Sequence, residues 1–423
     1  MRVGGEIRVP GDKSISHRAL ILASLATGES RIRGILRSAD VESTAVVLRT
    51  MGAAIPSLAD DIVVHGRGLD GWSAPASALL CGNSGTTARL MAGGVAGRPF
   101  ASRFEGDTSL SRRPMHRIAE PLRAMGARVD FDHGDGLPMT VIGGTLAGIM
   151  WTTNGASAQT KSALLLAGLV GGVHVTVRDN TRSRDHTERM LSAMGGRIRS
   201  QGATVSLAPV NELAPLDITV PGDPSSAAFP LAVGVLGGAG GVRIPNVCLN
   251  PTRIGFFEAL KTMGATLRYV DQRIVGGEET GTVVAAPSSL RSGRFGSSEV
   301  PGMIDEIPLL ACVAAAAGVG LEVTGAEELR VKESDRIHAV VSNLRALGAE
   351  AQELRDGLVV AERRVRLRGK AITEGDHRIA MAFGVLGAIP GNEIEIDDKD
   401  CVVVSYPSFW SDIERLASLP VRA

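Results

Sequence analysis

The sequence predicts an α/β chain of two similar halves, each built from three helix-and-sheet units, and three observations carry that reading. The pattern Leu-x-x-Met-Gly-Ala, or a close variant, begins at Leu48, Leu122, Leu191, Leu260 and Leu344. A polar or Gly-rich turn runs into a nearly all-apolar segment six times: PGDKSISHRALILASL, CGNSGTTARLMAGG, NGASAQTKSALLLAGL, PGDPSSAAFPLAVGVL, PGMIDEIPLLACVAAAAG and GDHRIAMAFGVLG. Val-Pro-Gly-Asp occurs at 9–12 and again at 220–223, 211 residues later in a chain of 423.

Each Leu-x-x-Met-Gly-Ala copy closes an amphipathic stretch with glycine where a helix end favours a left-handed residue. Alternating polar and apolar residues follow, as in RVDF and TLRYV, so the unit reads helix, glycine cap, strand. The copies are spaced by roughly 70 to 84 residues, the signature of a repeated supersecondary unit. The six apolar segments read as helices buried on every side. Their opening turns nevertheless carry Lys, Arg, Ser, Asp and His, which an inert core does not need. Unsatisfied N–H groups and the positive end of the helix dipole make each such turn a potential anion site. The chemistry is therefore expected at these N-termini, which together suit a polyanionic substrate. The repeated Val-Pro-Gly-Asp marks equivalent points in the halves, with buried helices inside and mixed sheets outside.

Composition limits the function. A length of 423 residues implies two or three domains, and 44% hydrophobic with 21% charged residues suits packed, globular cores. Only 3% of residues are aromatic while Gly numbers 52, which favours aliphatic cores and close backbone approaches. With 45 basic and 45 acidic residues there is no global field to draw nucleic acid or an anionic membrane, so any anion site is a local cluster. Cys81, Cys248, Cys312 and Cys401 form no metal-binding spacing and read as reduced thiols. The N-terminal MRVGGEIRVPGDK has no apolar signal core, and other apolar runs are short and Gly-punctuated, so a cytoplasmic protein is expected.

Within the turns, Lys13 and Arg18 lie about one and a half helical turns apart, beside Ser14 and inside an otherwise apolar segment. Solvated charge at a helix entrance is the plain alternative to an anion site. Gly82-Asn83-Ser84-Gly85-Thr86-Thr87 is Gly-rich but lacks the Gly-Lys-Ser/Thr ending of a P-loop. Arg112 and Arg113 precede Pro114, which suits the first turn of a helix, and two arginines there are mutually unfavourable without an anion. Asp305, taken alone, reads as a helix cap. Glu333 and Asp335, taken alone, read as partners of Arg330, Lys332 or Arg336 on a solvated face.

The stretches GDKSISHRAL, GNSGTTARL, RRPMHR, SAQTKSALLLAG, PGDPSSAAF, ELRVKESDRI, GDHRIAMAF and SYPSFW, in this order, resemble the enolpyruvyl transferase family and most closely its 5-enolpyruvylshikimate-3-phosphate synthase branch. The resemblance covers nearly the whole chain. It implies a two-domain inside-out α/β barrel of six repeated helix-and-sheet units that closes on substrates in the cleft between the domains. The first domain is expected to comprise 1–12 and 226–423, the N-terminal strand plus the C-terminal half, and the second 13–225. The implied reaction moves the enolpyruvyl group of phosphoenolpyruvate to the 5-hydroxyl of shikimate 3-phosphate, with no metal or organic cofactor. Expected partners are these two small molecules, with no nucleic acid and no membrane, and the chain is expected to be a monomer.

By resemblance, Lys13 is catalytic and meets both substrates, while Ser14 and Arg18 hold the shikimate ring and its carboxylate. Asn83 and the backbone around Gly85 face phosphoenolpyruvate, and Arg113 is its arginine. Ser157, Ala158 and Gln159 bind the phosphate of shikimate 3-phosphate and the reacting end of both substrates; Ala158 stands where other members carry serine. Ser183 is a further phosphate-binding serine, with Arg184 left ambiguous. Asp305 accepts a hydrogen bond from, or deprotonates, the attacking 5-hydroxyl, and Glu333 relays a proton to and from the methylene carbon. Lys332 contacts shikimate 3-phosphate. Arg336 and Arg378 grip the phosphoenolpyruvate carboxylate, with Asp376 and His377 shaping the turn. One departure is Val404, where many members carry a lysine; Lys399 is the close alternative cation. The sister enzymes acting on UDP-N-acetylglucosamine usually carry a reactive cysteine in a loop that here reads DTSLSRRPMHR. Scarce aromatics and zero net charge speak against a nucleic-acid binder. Acids placed among the cations favour an enzyme over a passive anion receptor.

Overall fold

The computed structural model describes residues 5–153, 157–237 and 241–418. The turn residues Asn154, Gly155 and Ala156, and positions 1–4 and 419–423 of the expected first domain, lie outside the described residues. The chain divides into two compact units. The first comprises the described residues of Met1–Pro10, Pro221–Arg273 and Glu279–Ala423, and the second comprises Gly11–Val220 with Ile274–Glu278. The chain passes from one to the other within the two Val-Pro-Gly-Asp turns, a few residues ahead of the expected 12/13 and 225/226. In each turn the Asp already serves the helix that follows: Asp12 accepts from the Ile15 N–H at 2.8 Å and Asp223 from the Ser225 N–H at 2.8 Å. A Cβ at Gly11 would fall inside the Gly34 carbonyl, so this turn requires glycine.

In the second unit the apolar segments form the helices Lys13–Leu25, Gly85–Ala96 and Ala158–Gly171, buried along almost their entire length. Three mixed sheets accompany them. Asp217–Thr219 pairs in parallel with Thr27–Arg33, which pairs antiparallel with Asp61–Arg67. Leu79–Leu80 runs parallel to Ala101–Glu105, and Ile149–Thr152 runs parallel to Val175–Arg178; an antiparallel hairpin completes each of these sheets. The helices approach closely through glycine: a Cβ on Gly93 would fall inside the Ala163 carbonyl.

The first unit repeats the scheme. Its buried helices are Pro224–Leu236, Ile307–Ala317 and His377–Ala388. Gly5–Glu6 runs parallel to Val242–Cys248, Gly293–Phe295 to Leu321–Val323, and Arg368–Ala371 to Glu393–Ile396. Among the described residues there are six sheets, and each contains one parallel pair.

The Leu-x-x-Met-Gly-Ala copies all end helices: Ala39–Thr50, His116–Ala124, His186–Ala193, Gly255–Thr262 and Arg336–Ala346. Gly52, Gly126, Gly195, Gly264 and Gly348 have φ between +81° and +107°. In every copy the residue after the glycine donates its N–H to the carbonyl of the pattern's leucine, at 2.7–3.1 Å, and the glycine N–H bonds the carbonyl three residues earlier, at 2.9–3.2 Å. This is the Schellman closure, satisfying carbonyls that the helix end leaves open. Pro114 departs from expectation. The helix begins at His116, whose N–H is taken by the Asp135 carboxylate, while Arg112 and Arg113 follow a short turn, Thr108–Ser111, capped by Asp107.

Candidate active site

The buried helices of the second unit present their opening turns with the predicted residues on them. Lys13 is the first residue of its helix and its ammonium lies 3.0 Å from Asp40. Arg18, five residues on and buried, gives Nη1 to the Ser14 carbonyl at 3.0 Å, Nε to Thr187 at 2.7 Å and Nη2 to Ser162 at 2.8 Å. Burial lowers its pKa to about 10, with nearby Arg184 adding to the effect and Glu188 and Asp12 opposing it. A guanidinium with Arg184 close by is poised for an anion. His17 between them is buried, bonded to Thr44 at 2.6 Å, and held neutral by burial and by the charges of Lys13 and Arg18.

Ser84 caps the helix that opens at Gly85, accepting from the Thr87 N–H at 3.2 Å. Arg113, buried although its neighbour Arg112 is exposed, reaches Asn83 Oδ1 at 2.5 Å, and Asn83 gives Nδ2 to Asp107 at 2.7 Å. Gln159 connects this turn to the next helix: its Nε2 donates to Thr86 at 3.0 Å and its Oε1 accepts from Arg89 at 2.7 Å. Sequence reasoning missed Arg89, although a lone charge in the apolar run GTTARLMAGG was a visible signal. A Cβ on Gly85 would lie 2.8 Å from Arg89 Nη1, so glycine there lets the guanidinium pack against the turn.

Ser157 caps the helix Ala158–Gly171 through the Thr160 N–H at 3.2 Å. Ala158 is its first residue, so its N–H is among the donors that no helix carbonyl can take. Ser183 lies in the following turn, with its N–H and Oγ both on Asp179 Oδ2, at 2.9 and 2.6 Å.

In the first unit the predicted residues converge on Arg336, whose side chain is 2% exposed at the start of the helix Arg336–Ala346. Its guanidinium meets Asp376 at 2.8 Å, Glu333 at 2.6 Å and Asp305 at 3.2 Å. Burial alone lowers the pKa of Arg336, but Asp376, Glu333 and Asp305 together raise it above the ordinary arginine value. Lys332 stands 3.8 Å from Asp305. Asp376 is fully buried and accepts from the Arg378 N–H at 2.8 Å, capping the helix His377–Ala388. Burial opposes its ionisation, yet Arg336 holds it below the usual carboxylate range. The buried Arg378 side chain meets Glu306 at 3.3 Å. The turn Ile304–Glu306 brings Asp305 to Arg336 and Lys332, contacts that its isolated position in the sequence does not suggest. Asp335 caps the helix Arg336–Ala346, accepting from the His338 N–H at 3.1 Å. Lys399, the alternative to the lysine lacking at Val404, sits over the Trp410 ring at 5.2 Å and accepts the Trp410 Nε1–H at its carbonyl.

Each unit therefore holds a set of buried cations at helix openings, and the first adds three carboxylates on one guanidinium. A family model described as EPSP synthase (3-phosphoshikimate 1-carboxyvinyltransferase) matches residues 1–413. The 3-phosphoshikimate 1-carboxyvinyltransferase of Sulfurihydrogenibium sp. is 44% identical over 421 residues, 98% of this chain and 98% of that one. Its counterpart in Bacillus subtilis is 44% identical over 415 residues, 98% of this chain and 97% of that one. The solved EPSP synthase of Acinetobacter baumannii matches with a TM-score of 0.86 at 39% identity, over 98% of this chain and 96% of that one. The enolpyruvyl transferase NikO from Streptomyces tendae, at 19% identity and a TM-score of 0.76 over 98% and 95% of the two chains, shares the fold. Full-length identity of this order, on a chain whose helix openings carry these cations and acids, means that it belongs to the EPSP synthase family.

Proposed function

We infer that this chain transfers the enolpyruvyl group of phosphoenolpyruvate to the 5-hydroxyl of shikimate 3-phosphate, releasing phosphate, in the shikimate pathway to aromatic amino acids. The observation that carries the reading is that, of the three carboxylates on the buried Arg336 guanidinium, Asp305 at 3.2 Å and Glu333 at 2.6 Å stay partly exposed while Asp376 is sealed in the interior. Addition of a hydroxyl across an alkene needs a proton delivered to one carbon and another removed from the attacking oxygen. Two acids fixed to one cation can divide those tasks.

On this reading Glu333 protonates the methylene carbon of phosphoenolpyruvate, which leaves the adjacent carbon electrophilic. The 5-hydroxyl adds there and its proton passes to Asp305. Glu333 then removes a proton from the new methyl group as the carbon–oxygen bond to phosphate breaks and the departing phosphate takes up the proton held by Asp305, restoring the alkene in the product. Two phosphates and two carboxylates repel in water, and the cations offset that repulsion. Lys13, Asn83, Gly85, Arg113, Gln159, Arg336 and Arg378 serve phosphoenolpyruvate. Lys13, Ser14, Arg18, Ser157, Ala158, Gln159, Ser183, Asp305 and Lys332 serve shikimate 3-phosphate. The finer architecture we propose, an inside-out barrel of six repeated units, is supported by the recurrence of a buried helix, a sheet with one parallel pair and a glycine-closed helix.

Phosphate release from phosphoenolpyruvate tests the reaction, with shikimate 3-phosphate or UDP-N-acetylglucosamine as acceptor. Release is expected only with shikimate 3-phosphate, and Glu333→Gln is expected to lower kcat by about 10²- to 10⁴-fold. Turnover of the nucleotide sugar, or full activity in Glu333→Gln, would overturn the assignment.

A further inference from the structure

We propose that Lys161, a residue given no role above, is a positioning residue for the phosphate of shikimate 3-phosphate, joining the Ser157 helix opening to the Ser183 turn and neutralising the carboxylate behind Ser183. This rests on the functional reading above, in which Ser157, Ala158, Gln159 and Ser183 receive that phosphate.

Lys161 lies in the first turn of the helix Ala158–Gly171, with its side chain only 3% exposed. Its backbone N–H closes on the Ser157 carbonyl at 3.2 Å. Its ammonium reaches Asp179 Oδ2 at 3.0 Å, Glu188 Oε1 at 2.7 Å and the Ser183 carbonyl at 3.1 Å. One residue therefore starts the helix on one side and ties down the turn on the other. The turn is itself built on Asp179: Oδ2 takes the Ser183 N–H and Oγ–H, and Oδ1 takes the Thr181 hydroxyl at 2.8 Å.

The electrostatics call for this lysine. Asp179 sits 2.6 Å behind Ser183 Oγ, and an uncompensated carboxylate there repels any phosphate approaching that hydroxyl. The Lys161 ammonium cancels that charge. It also leaves Asp179 partnered when the Ser183 hydroxyl turns from the carboxylate toward a phosphate oxygen, since Lys161 and the Ser183 N–H remain on Oδ2. Of the two acids, Glu188 is the one whose charge burial suppresses, with its pKa raised, whereas Asp179 is held low despite burial by Lys161 and the turn donors. A lysine needed only for packing would not have its ammonium shared by the turn's carboxylate, the turn's carbonyl and a second acid.

The test is steady-state kinetics on the full chain, varying each substrate in turn. Lys161→Met keeps the length of the side chain and removes the charge. It is expected to raise KM for shikimate 3-phosphate roughly tenfold while KM for phosphoenolpyruvate changes less than about threefold, the size of one lost hydrogen-bonded contact. Ser183→Ala is expected to act on the same KM. The double variant is expected to be no worse than the poorer single one, because both break the same connection. Should Lys161→Met not fold, Lys161→Gln removes the same charge while keeping a polar head, and is expected to show the same selectivity. Equal rises in both KM values, additive losses, or an unchanged KM for shikimate 3-phosphate would overturn the role of Lys161 alone. A wild-type chain with no turnover of shikimate 3-phosphate would instead overturn the functional reading on which it stands.

Discussion

At Arg336 a guanidinium is buried that only its neighbours make tolerable. Taking such a charge out of water is costly, and Asp376, itself fully buried, is the partner that offsets the cost most completely, through contacts at 2.8 and 3.2 Å. Asp376→Asn keeps the shape and the ability to cap the helix but leaves Arg336 with the more exposed Glu333 and Asp305. Its expected cost near neutral pH is about 3 kcal/mol, the lower end for breaking a buried pair. The sign with pH follows from the depressed folded-state pKa of Asp376. A carboxylate held below its unfolded value contributes stability that is fully present above the unfolded pKa, about 3.9, and is lost as pH falls through the folded value. Urea unfolding of the two proteins should therefore show a gap that is constant from about pH 7 to 5 and closes below about pH 4. A gap that persists at the acid end would mean that Asp376 is not the ionised partner. Charge runs alone could not reveal this cluster: Glu333 and Arg336 are neighbours in sequence, but Asp376 is 40 residues from Arg336 and Asp305 is 31.

Element by element, the parts most legible in the sequence are those governed by local backbone geometry. The five glycine closures could be read because a helix end needs a left-handed residue, and the physics lies within six consecutive residues. What could not be read are contacts that the tertiary fold brings together, such as Arg89 with Gln159, 70 residues apart, or Lys161 with Asp179. The helix expected to begin at Pro114 was misplaced for the same reason, since Asp135, 19 residues beyond His116, supplies the partner for its opening N–H. The backbone argument gives a sharp comparison. Gly348 has φ +98° and nothing within 4 Å of where a Cβ would stand, so replacing it with alanine tests strain alone. Gly144 also faces open space, but its φ is not positive. Gly348→Ala is expected to destabilise by about 1–2 kcal/mol, whereas Gly144→Ala is expected to be neutral or to stabilise by up to about 1 kcal/mol. Thermal melting of both variants reads the difference, and equal effects would remove the left-handed glycine as the reason for the repeat.

For the whole molecule, the chain passes between the two units at the repeated Val-Pro-Gly-Asp, whereas no sequence pattern marks Ile274–Glu278 as part of the second unit. That segment is the tip of a hairpin whose strands belong mainly to the first unit, and its place is fixed by Glu278, fully buried against His186 at 2.7 Å. A buried pair 92 residues apart leaves no mark in local pattern. The same organisation predicts how ligand binding spreads. A ligand that binds only the folded state stabilises it by about 2.7 kcal/mol when present at about 100 times its Kd. If Ser14, Arg18, Ser157, Gln159 and Ser183 hold shikimate 3-phosphate, that stabilisation enters the second unit at three helix openings that are hydrogen-bonded to one another through Arg18, Ser162 and Thr187. Amide hydrogen exchange with shikimate 3-phosphate alone should then slow in the helices Lys13–Leu25, Ala158–Gly171 and His186–Ala193, and around Asp305 and Lys332 in the first unit. The helices Gly255–Thr262 and Phe409–Ser418, which carry none of the proposed ligand contacts, should exchange at unchanged rates unless whole units open together. Slowing confined to the first unit would place the substrate phosphate elsewhere, and would take Ser157, Ser183 and Lys161 out of the site at once.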